Sequence, residues 1–290
     1  MDTIIRKADV LLEALPYIQN FFEKTIVIKY GGAAMTDPEI RKNVLEDIVF
    51  MNYVGMRPVL VHGGGPSLSK RLAGMGKEAT FVRGFRVTDE ETMQMAGEEF
   101  MSINSAIVAE LNSLGGSAIS LSGKEDRVIE VKKHEPIDGQ DVGFVGEITK
   151  INADVLQKMI AADIIPVIPP LGVGSDGHAY NINADQVAAE IASALKAEKL
   201  VVVTNVKGIL KDVNDPQSLM SHVTLAEVAG LIKTGVVSSG MIPKVMACVR
   251  ALEGGVKKTH ILDAHIPHAL LLEIFTDKGI GTEIVKNGTV

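Results

Sequence analysis

Short apolar runs rich in β-branched residues alternate along this chain with longer segments in which apolar residues recur at helical spacing. The apolar runs predict strands over 25–30, 57–64, 116–123, 164–172, 200–206 and 258–264, with a short last one near 282–286. The helical spacing predicts helices over 38–54, 89–114, 152–162, 184–197, 224–233, 241–253 and 267–275, with a further one opening at Pro66. Buried strands separated by helices indicate an α/β fold whose mostly parallel sheet is covered on both faces.

An amphipathic stripe precedes the first strand. Apolar residues recur at helical spacing from Ile4 to Phe22, and Pro16 interrupts them, which predicts a kinked helix or two short ones. The apolar face needs a partner. Its own domain and another subunit both remain open.

Two segments depart from the alternation. Residues 126–150 predict an antiparallel excursion with a turn at 137–140. GVGSDG (172–177) matches G-x-G-x-x-G, but the next helical pattern starts only near Ala184. A dinucleotide fingerprint needs its helix to begin within the glycines, so a hairpin turn explains this motif better.

Composition narrows the function classes. The chain has 290 residues, 46% of them hydrophobic, enough for one large α/β domain or two intimate lobes. A formal charge of -7 argues against nucleic-acid binding by the chain as a whole. The single cysteine, Cys248, lies in a helical apolar pattern and is expected to be buried. The charged N-terminus and the lack of a long apolar run predict a soluble, cytoplasmic protein.

Two distant lysines carry the candidate chemistry. Lys29 stands near the end of an apolar strand in VIKYGG (27–32), where burial of an ammonium group is costly unless it meets an anion. Lys244 follows glycine and proline in SSGMIPK (238–244), although an ordinary solvated lysine is the common alternative. Two cations and glycine-rich strand ends suit a polyanion undergoing transfer, which predicts phosphoryl transfer without a Walker loop.

Three further motifs support this hypothesis. The glycines of VLVHGGG (59–65) precede a helix start and suit a carboxylate or phosphate, or else form a packing turn. Arg86 offers a planar fork for a carboxylate, with Arg83 as the alternative and a surface ion pair as the simpler role for either. NINADQ (181–186) places Asp185 at a helix opening, where it could cap the helix or hold both lysines. Asn181 and Asn183 could donate to substrate oxygens.

Taken together, VIKYGG, VLVHGGGP, RVT, NINADQ, TNVKGIL and GMIPK resemble the amino acid kinase family, in order and over essentially the whole chain. The resemblance implies a three-layer αβα sandwich with a central, mostly parallel sheet. It implies an N-terminal helix over 1–24 for oligomerisation or regulation, an amino-acid-binding lobe over 25–197 and an ATP-binding lobe over 198–290. It implies ATP- and Mg²⁺-dependent phosphorylation of the γ-carboxylate of N-acetyl-L-glutamate in arginine biosynthesis; a sister activity on another small carboxylate or carbamate is the alternative.

The resemblance also implies site roles. Lys29 and Lys244 would stabilise the transferring phosphoryl group and Asp185 would organise them. Substrate would be bound by Gly64, Gly65, Arg86 and Asn181. ATP would be bound by Gly31, Gly32, Thr204, Asn205, Gly208, Ile209, Gly240 and Met241. A side-chain carboxylate is already ionised at neutral pH, so no general base is needed, and His62 is assigned a structural hydrogen-bonding role.

The N-terminal helix and the segment 258–284 resemble the arginine-inhibited branch of the family. This implies a homohexamer built as a trimer of dimers, with L-arginine as feedback inhibitor. The implied arginine contacts are Lys211, His260, Glu273 and Gly279. The chain departs from the family pattern at Asp263–Ala264–His265 and at Asn205.

Overall fold

The computed structural model describes residues 2–122, 126–238, 240–276 and 279–288. Met1, Gly123, Ser239, Asp277 and Lys278, which fall within segments discussed above, lie outside the described residues. Within these ranges the helices are α1 (Asp2–Phe21), α2 (Pro38–Tyr53), α3 (Gly65–Gly74), α4 (Glu90–Ser113), α5 (Ala153–Ala161), α6 (Ala184–Ala194), α7 (Leu225–Lys233), α8 (Ile242–Glu253) and α9 (Ala269–Ile274). Short 3₁₀ turns occupy Gly32–Met35 and Pro216–Ser218.

The strands are β1 (Thr25–Tyr30), β2 (Arg57–His62), β3 (Phe81–Val82), β4 (Phe85–Arg86), β5 (Ala118–Ser120), β6 (Ile129–Lys133), β7 (Gly146–Ile151), β8 (Ile165–Ile168), β9 (Leu171–Gly174), β10 (Ala179–Asn181), β11 (Lys199–Thr204), β12 (His222–Thr224), β13 (Lys258–Asp263) and β14 (Thr282–Val285). Eight of them form the central sheet in the order β12-β14-β13-β11-β1-β2-β8-β5. Every neighbouring pair in it is parallel except β13–β14. The predicted mostly parallel α/β sheet is therefore confirmed.

The sheet has apolar cores on both faces. One large cluster includes Val27, Val59 and Val202, and a second includes Ile28, Leu60 and Val201. Each of β1, β2 and β11 contributes one residue to each cluster, and the two residues are neighbours in sequence. Successive side chains of a strand therefore point to opposite faces of the sheet. Because both faces are covered by helices, the strands read as continuous apolar runs in the sequence.

Strand order creates the crevice that holds the site. The chain passes from β1 to β2 on one side, and later returns to place β11 on the other side of β1. In open parallel sheets, ligands bind outside the carboxyl ends of the strands at such a switch point. The ends of β1, β2 and β11 are Tyr30, His62 and Thr204.

Several expectations need correction. Pro16 lies inside one continuous helix, so α1 is not divided into two short ones. The predicted strand 164–172 is two strands, β8 and β9, because Pro169 and Pro170 separate them. The strands β3, β4, β10 and β12 were not predicted; with only two or three residues each, they carry too little periodicity to be read from sequence.

Other expectations are confirmed. β6 and β7 pair antiparallel, and β9 and β10 form an antiparallel hairpin across the GVGSDG segment, with Gly177 at φ +80°. Cys248 is fully buried, and burial raises the pKa of its thiol to about 12. None of the described helices combines the length and apolar character needed to cross a lipid bilayer.

Candidate active site

Lys29, Asp185 and Lys244 meet at the crevice although they are distant in sequence. The Nζ of Lys29 lies 2.9 Å from Oδ1 of Asp185, and the Nζ of Lys244 lies 3.8 Å from Oδ2 of the same carboxylate. Lys29 comes from β1, Asp185 from the first turn of α6 and Lys244 from the first turn of α8. The predicted convergence of the two ammonium groups on one place is present in the structure.

The carboxylate between the lysines is held ionised by them. Burial alone would raise the pKa of Asp185, but the ammonium groups of Lys29 and Lys244 outweigh burial and keep that pKa below its ordinary value. Burial lowers the pKa of Lys244, with Lys29 acting in the same direction and Asp185 opposing it. Two positive charges thus face one negative charge, which leaves net positive charge for an anion.

Helix α6 is capped by a different residue from the one considered in the sequence. The Oδ1 of Asn183 accepts hydrogen bonds from the backbone N–H groups of Asp185 (2.9 Å) and Gln186 (3.3 Å). Asn183 therefore takes the N-cap role. The side chain of Asp185 is left free to contact both lysines.

A cavity of about 200 Å³ opens beside Lys29 and Asp185. Its lining includes four predicted substrate residues, Gly64, Gly65, Arg86 and Asn181. Glycine is needed at Gly64, where a Cβ would fall 2.4 Å from the ring of Phe100. Beside the cavity, a Cβ on Gly31 would fall 2.6 Å from Nζ of Lys29 and would displace that ammonium group. We call this space the substrate cavity.

Arg86 is anchored by one half of its guanidinium and free at the other. Its Nη2 donates to the carbonyl oxygen of Gly65 (2.9 Å) and to Oγ of Ser69 (2.7 Å), and its Cζ lies 4.7 Å from the ring centre of Phe81. Its Nη1 is buried without a hydrogen-bond partner in the described part of the chain. A buried donor of this kind is costly unless a ligand such as a carboxylate accepts from it.

Arg83, the alternative, has a surface role. Its side chain is 71% exposed and its Nε lies 2.6 Å from Oδ2 of Asp138. It does not line the substrate cavity as Arg86 does.

Asn181 is tied to Arg86 through a threonine that the sequence reading missed. The Nδ2 of Asn181 donates to Oγ1 of Thr88 (3.3 Å), and this hydroxyl donates to the carbonyl oxygen of Arg86 (2.8 Å). Thr88 is fully buried. It belongs to the RVT motif, but nothing in the sequence shows that its hydroxyl would meet a residue 93 positions away.

A larger cavity of about 770 Å³ lies on the other side of Lys244. Its lining includes the predicted nucleotide residues Thr204, Asn205, Gly208, Ile209, Gly240 and Met241. Gly208 has φ +134°, and a Cβ there would fall 2.4 Å from Oγ1 of Thr282. Of the other two predicted nucleotide residues, Gly32 lines the substrate cavity and Gly31 lies against Lys29, so neither lines the larger cavity. We call the larger space the nucleotide cavity.

The predicted arginine contacts do not all come together. The Nδ1 of His260 lies 2.7 Å from Oε1 of Glu273, and Gly279 lies next to the same carboxylate. Lys211 lines the nucleotide cavity. Lys199 is a buried cation near Glu273. Nothing in the sequence marks it as a site residue, because it stands at the start of an ordinary strand.

A sequence profile of the Amino acid kinase family matches residues 24–263, from just before β1 to the end of β13. The chain belongs to the amino acid kinase family. It is 51% identical to acetylglutamate kinase from Moorella thermoacetica over 289 residues, covering 97% of this chain and 98% of that one.

Two solved structures are similar to this fold. The N-acetylglutamate synthase from Neisseria gonorrhoeae in complex with coenzyme A and N-acetyl-glutamate has a TM-score of 0.88 and 30% identity. It covers 97% of this chain, whereas this chain spans only 64% of the synthase. The same synthase with coenzyme A and L-arginine gives a TM-score of 0.83 at 29% identity over 96% of this chain and 65% of that one.

Proposed function

We propose that this chain is an acetylglutamate kinase, which transfers the γ-phosphoryl group of ATP to the γ-carboxylate of N-acetyl-L-glutamate in arginine biosynthesis. The observation that supports this most is the Lys29–Asp185–Lys244 cluster between a small cavity with an unsatisfied arginine donor and a larger cavity. The near-full-length similarity to an acetylglutamate kinase supports the same substrate.

The reaction needs alignment and charge neutralisation rather than proton transfer. An oxygen of the ionised γ-carboxylate attacks the γ-phosphorus, the bond from that phosphorus to the β,γ-bridging oxygen breaks, and ADP leaves with the electron pair. The product is an acyl phosphate. Lys29 and Lys244 donate to the oxygens of the migrating group, on which negative charge is concentrated.

The remaining residues orient the substrate. The free Nη1 of Arg86 and the amide of Asn181 bind the α-carboxylate, while backbone N–H groups of Gly64 and Gly65 face the reacting γ-carboxylate. Asp185 keeps the two ammonium groups at a fixed spacing. Positioning of this kind lowers the barrier by restricting the reactants before the chemical step.

ATP occupies the nucleotide cavity, with its phosphates directed at Lys244 and at Gly31 and Gly32. Mg²⁺ carried by the nucleotide would supply further neutralisation of the phosphate charge. A metal carried by the nucleotide fits the residues present, because the Asp185 carboxylate is engaged by both lysines.

A coupled assay of ADP release tests the proposal. N-acetyl-L-glutamate should give turnover well above glutamate, aspartate and carbamate. Activity with carbamate alone would instead assign a sister kinase, and binding of acetylglutamate without ADP release would indicate a sensing module.

Arginine regulation is proposed at the cluster around Glu273. Glu273 is a natural partner for a guanidinium, and His260, Gly279 and Lys199 surround it. Helix α1 reaches this cluster: Phe21 contacts Lys199 at 5.0 Å from the ring centre, and Tyr17 contacts Phe275 at 6.2 Å. Glu273→Gln should weaken inhibition by L-arginine without changing uninhibited turnover. Unchanged inhibition would place the arginine site elsewhere.

The proposed assembly is a hexamer in which α1 pairs with α1 of a second copy. Val10, Leu11 and Leu12 are each more than half exposed in the protomer, an apolar face that a partner would cover. Deleting residues 1–20 should give a smaller, active oligomer in sizing chromatography, with a weaker arginine response.

The proposed lobes, 25–197 and 198–290, contribute β1, β2, β5 and β8 to one half of the sheet and β11–β14 to the other. A cytoplasmic location is part of the same proposal.

A further inference from the structure

His62, at the carboxyl end of β2, is completely buried although the proposed reaction uses no histidine. Its Nδ1 lies 2.6 Å from the carbonyl oxygen of Gly63, and its Nε2 lies 3.1 Å from Nδ2 of Asn104. Burial lowers the pKa of the ring to about 4, so the ring is neutral at pH 7. A neutral imidazole carries a proton on only one nitrogen, and its neighbours decide which.

The two neighbours select one tautomer. A carbonyl oxygen can only accept, so Nδ1 must carry the proton and donate to Gly63. Nε2 is then an acceptor, and it receives a proton from the amide of Asn104. That amide also donates to the carbonyl oxygen of Val167 at 3.0 Å, so it cannot be turned round without losing a second hydrogen bond. Asn104 on α4 is itself fully buried.

The hydrogen bond to Gly63 has a consequence for the next residue. A peptide unit is planar, and in the trans form its C=O and N–H point in opposite directions. With the Gly63 oxygen held towards the His62 ring, the N–H of Gly64 points away from it. Gly63, Gly64 and Gly65 all line the substrate cavity. The Gly64 N–H has no backbone acceptor within the described residues.

We propose that His62 and Asn104 are positioning residues, which hold the Gly63–Gly64 peptide so that the Gly64 N–H donates into the substrate cavity. The inference rests on the proposed function, because it takes this N–H as a donor to the reacting carboxylate. We call the hydrogen bonds from Asn104 to His62 and from His62 to Gly63 the relay. Without it, a glycine peptide on a three-glycine turn could rotate, and its N–H donor would have to be reoriented during each turnover.

A matched pair of variants tests the relay. In His62→Asn the amide nitrogen falls near the position of Nδ1, so the donor to Gly63 is retained; in His62→Gln it falls near Nε2 and the donor is lost. We expect kcat of His62→Gln to fall roughly 10–100-fold with KM for ATP little changed, and His62→Asn to keep kcat within about 3-fold. Equal losses in both variants, in step with loss of thermal stability, would overturn the proposal.

Nuclear magnetic resonance of ¹⁵N-histidine-labelled wild-type protein needs no variant. The His62 shifts should report the neutral Nδ1–H tautomer at pH 7; an imidazolium or the Nε2–H tautomer would overturn the relay. The Gly64 amide resonance should move in His62→Gln and stay in His62→Asn. These two readouts do not depend on turnover, so absence of acetylglutamate kinase activity in wild-type protein would refute the proposed function and leave the relay to be judged by them.

Discussion

The substrate cavity and the nucleotide cavity share the lysine–aspartate cluster but are built differently. The wall of the first, which measures about 200 Å³, includes buried or half-buried side chains held by hydrogen bonds, such as Arg86, which donates to Ser69, and Asn181, which donates to the buried Thr88 behind it. The loop after β11 and the turn before α8 form much of the wall of the second, which measures about 770 Å³. A small, prearranged wall suits discrimination among small carboxylates, whereas a loop-lined cavity suits a large ligand held through its phosphates and backbone contacts.

The largest expected effect is at the junction of the two cavities. Lys29→Ala and Lys244→Ala should each lower kcat by roughly 10²–10³-fold, since each removes a charged donor to the migrating phosphoryl group. Lys158→Ala, at an exposed position of α5, is the control. Steady-state kinetics and thermal unfolding should be measured together. Wild-type turnover in either junction variant would remove the basis of the kinase assignment.

The substrate wall is probed by Arg86→Ala. Loss of a buried, charged hydrogen bond to the α-carboxylate should raise KM for acetylglutamate roughly 10–100-fold and leave KM for ATP nearly unchanged. Arg83→Ala, which removes only the surface pair with Asp138, should behave as wild type. A change confined to kcat would show that Arg86 has been assigned the wrong role.

The nucleotide wall is probed by Gly208→Ala. A Cβ would clash with Thr282 and would strain a backbone at φ +134°, so the loop must move. KM for ATP should rise about 3–10-fold while KM for acetylglutamate stays constant, by analogy with other strained backbone sites. Gly230→Ala, in α7 with open space around the added methyl group, is the control. Equal changes for both substrates would mean that the two cavities are not independent.

The smallest effect concerns pH. Because burial lowers the pKa of Lys244 below that of an ordinary lysine, its charge is lost earlier as pH rises. Turnover should therefore be at its maximum at pH values below this lowered pKa, where Lys244 is charged, and should fall as pH rises through it. In Lys244→Arg the guanidinium stays charged at high pH, so the alkaline decline should disappear even if the maximal kcat of this variant is lower. A profile of log kcat against pH for both proteins checks this, and identical alkaline limbs would contradict it.

Much of the fold and part of the site could be read from the sequence. The long periodic segments gave the parallel sheet and most helices, because buried strands and amphipathic helices have strong patterns. Lys29 stood out because an ammonium group conflicts with an apolar strand, and Gly64 because it belongs to a run of three glycines. Lys244, Asp185 and Arg86 each had an ordinary alternative, and their site roles rested on the family resemblance. Four strands of two or three residues, β3, β4, β10 and β12, were missed, because such short segments show no clear period.

What the sequence by itself determined was the set of strands and helices and the residue types available at their ends. What only the tertiary structure decided was which of those residues meet: Asn183 as the helix cap, Thr88 beneath Asn181, Lys199 rather than Lys211 beside Glu273, and Asn104 beside His62. The physical reason is that hydrogen bonds and ion pairs depend on distances of a few ångströms between distant segments. Strand order and helix packing set those distances, and local periodicity carries no record of them.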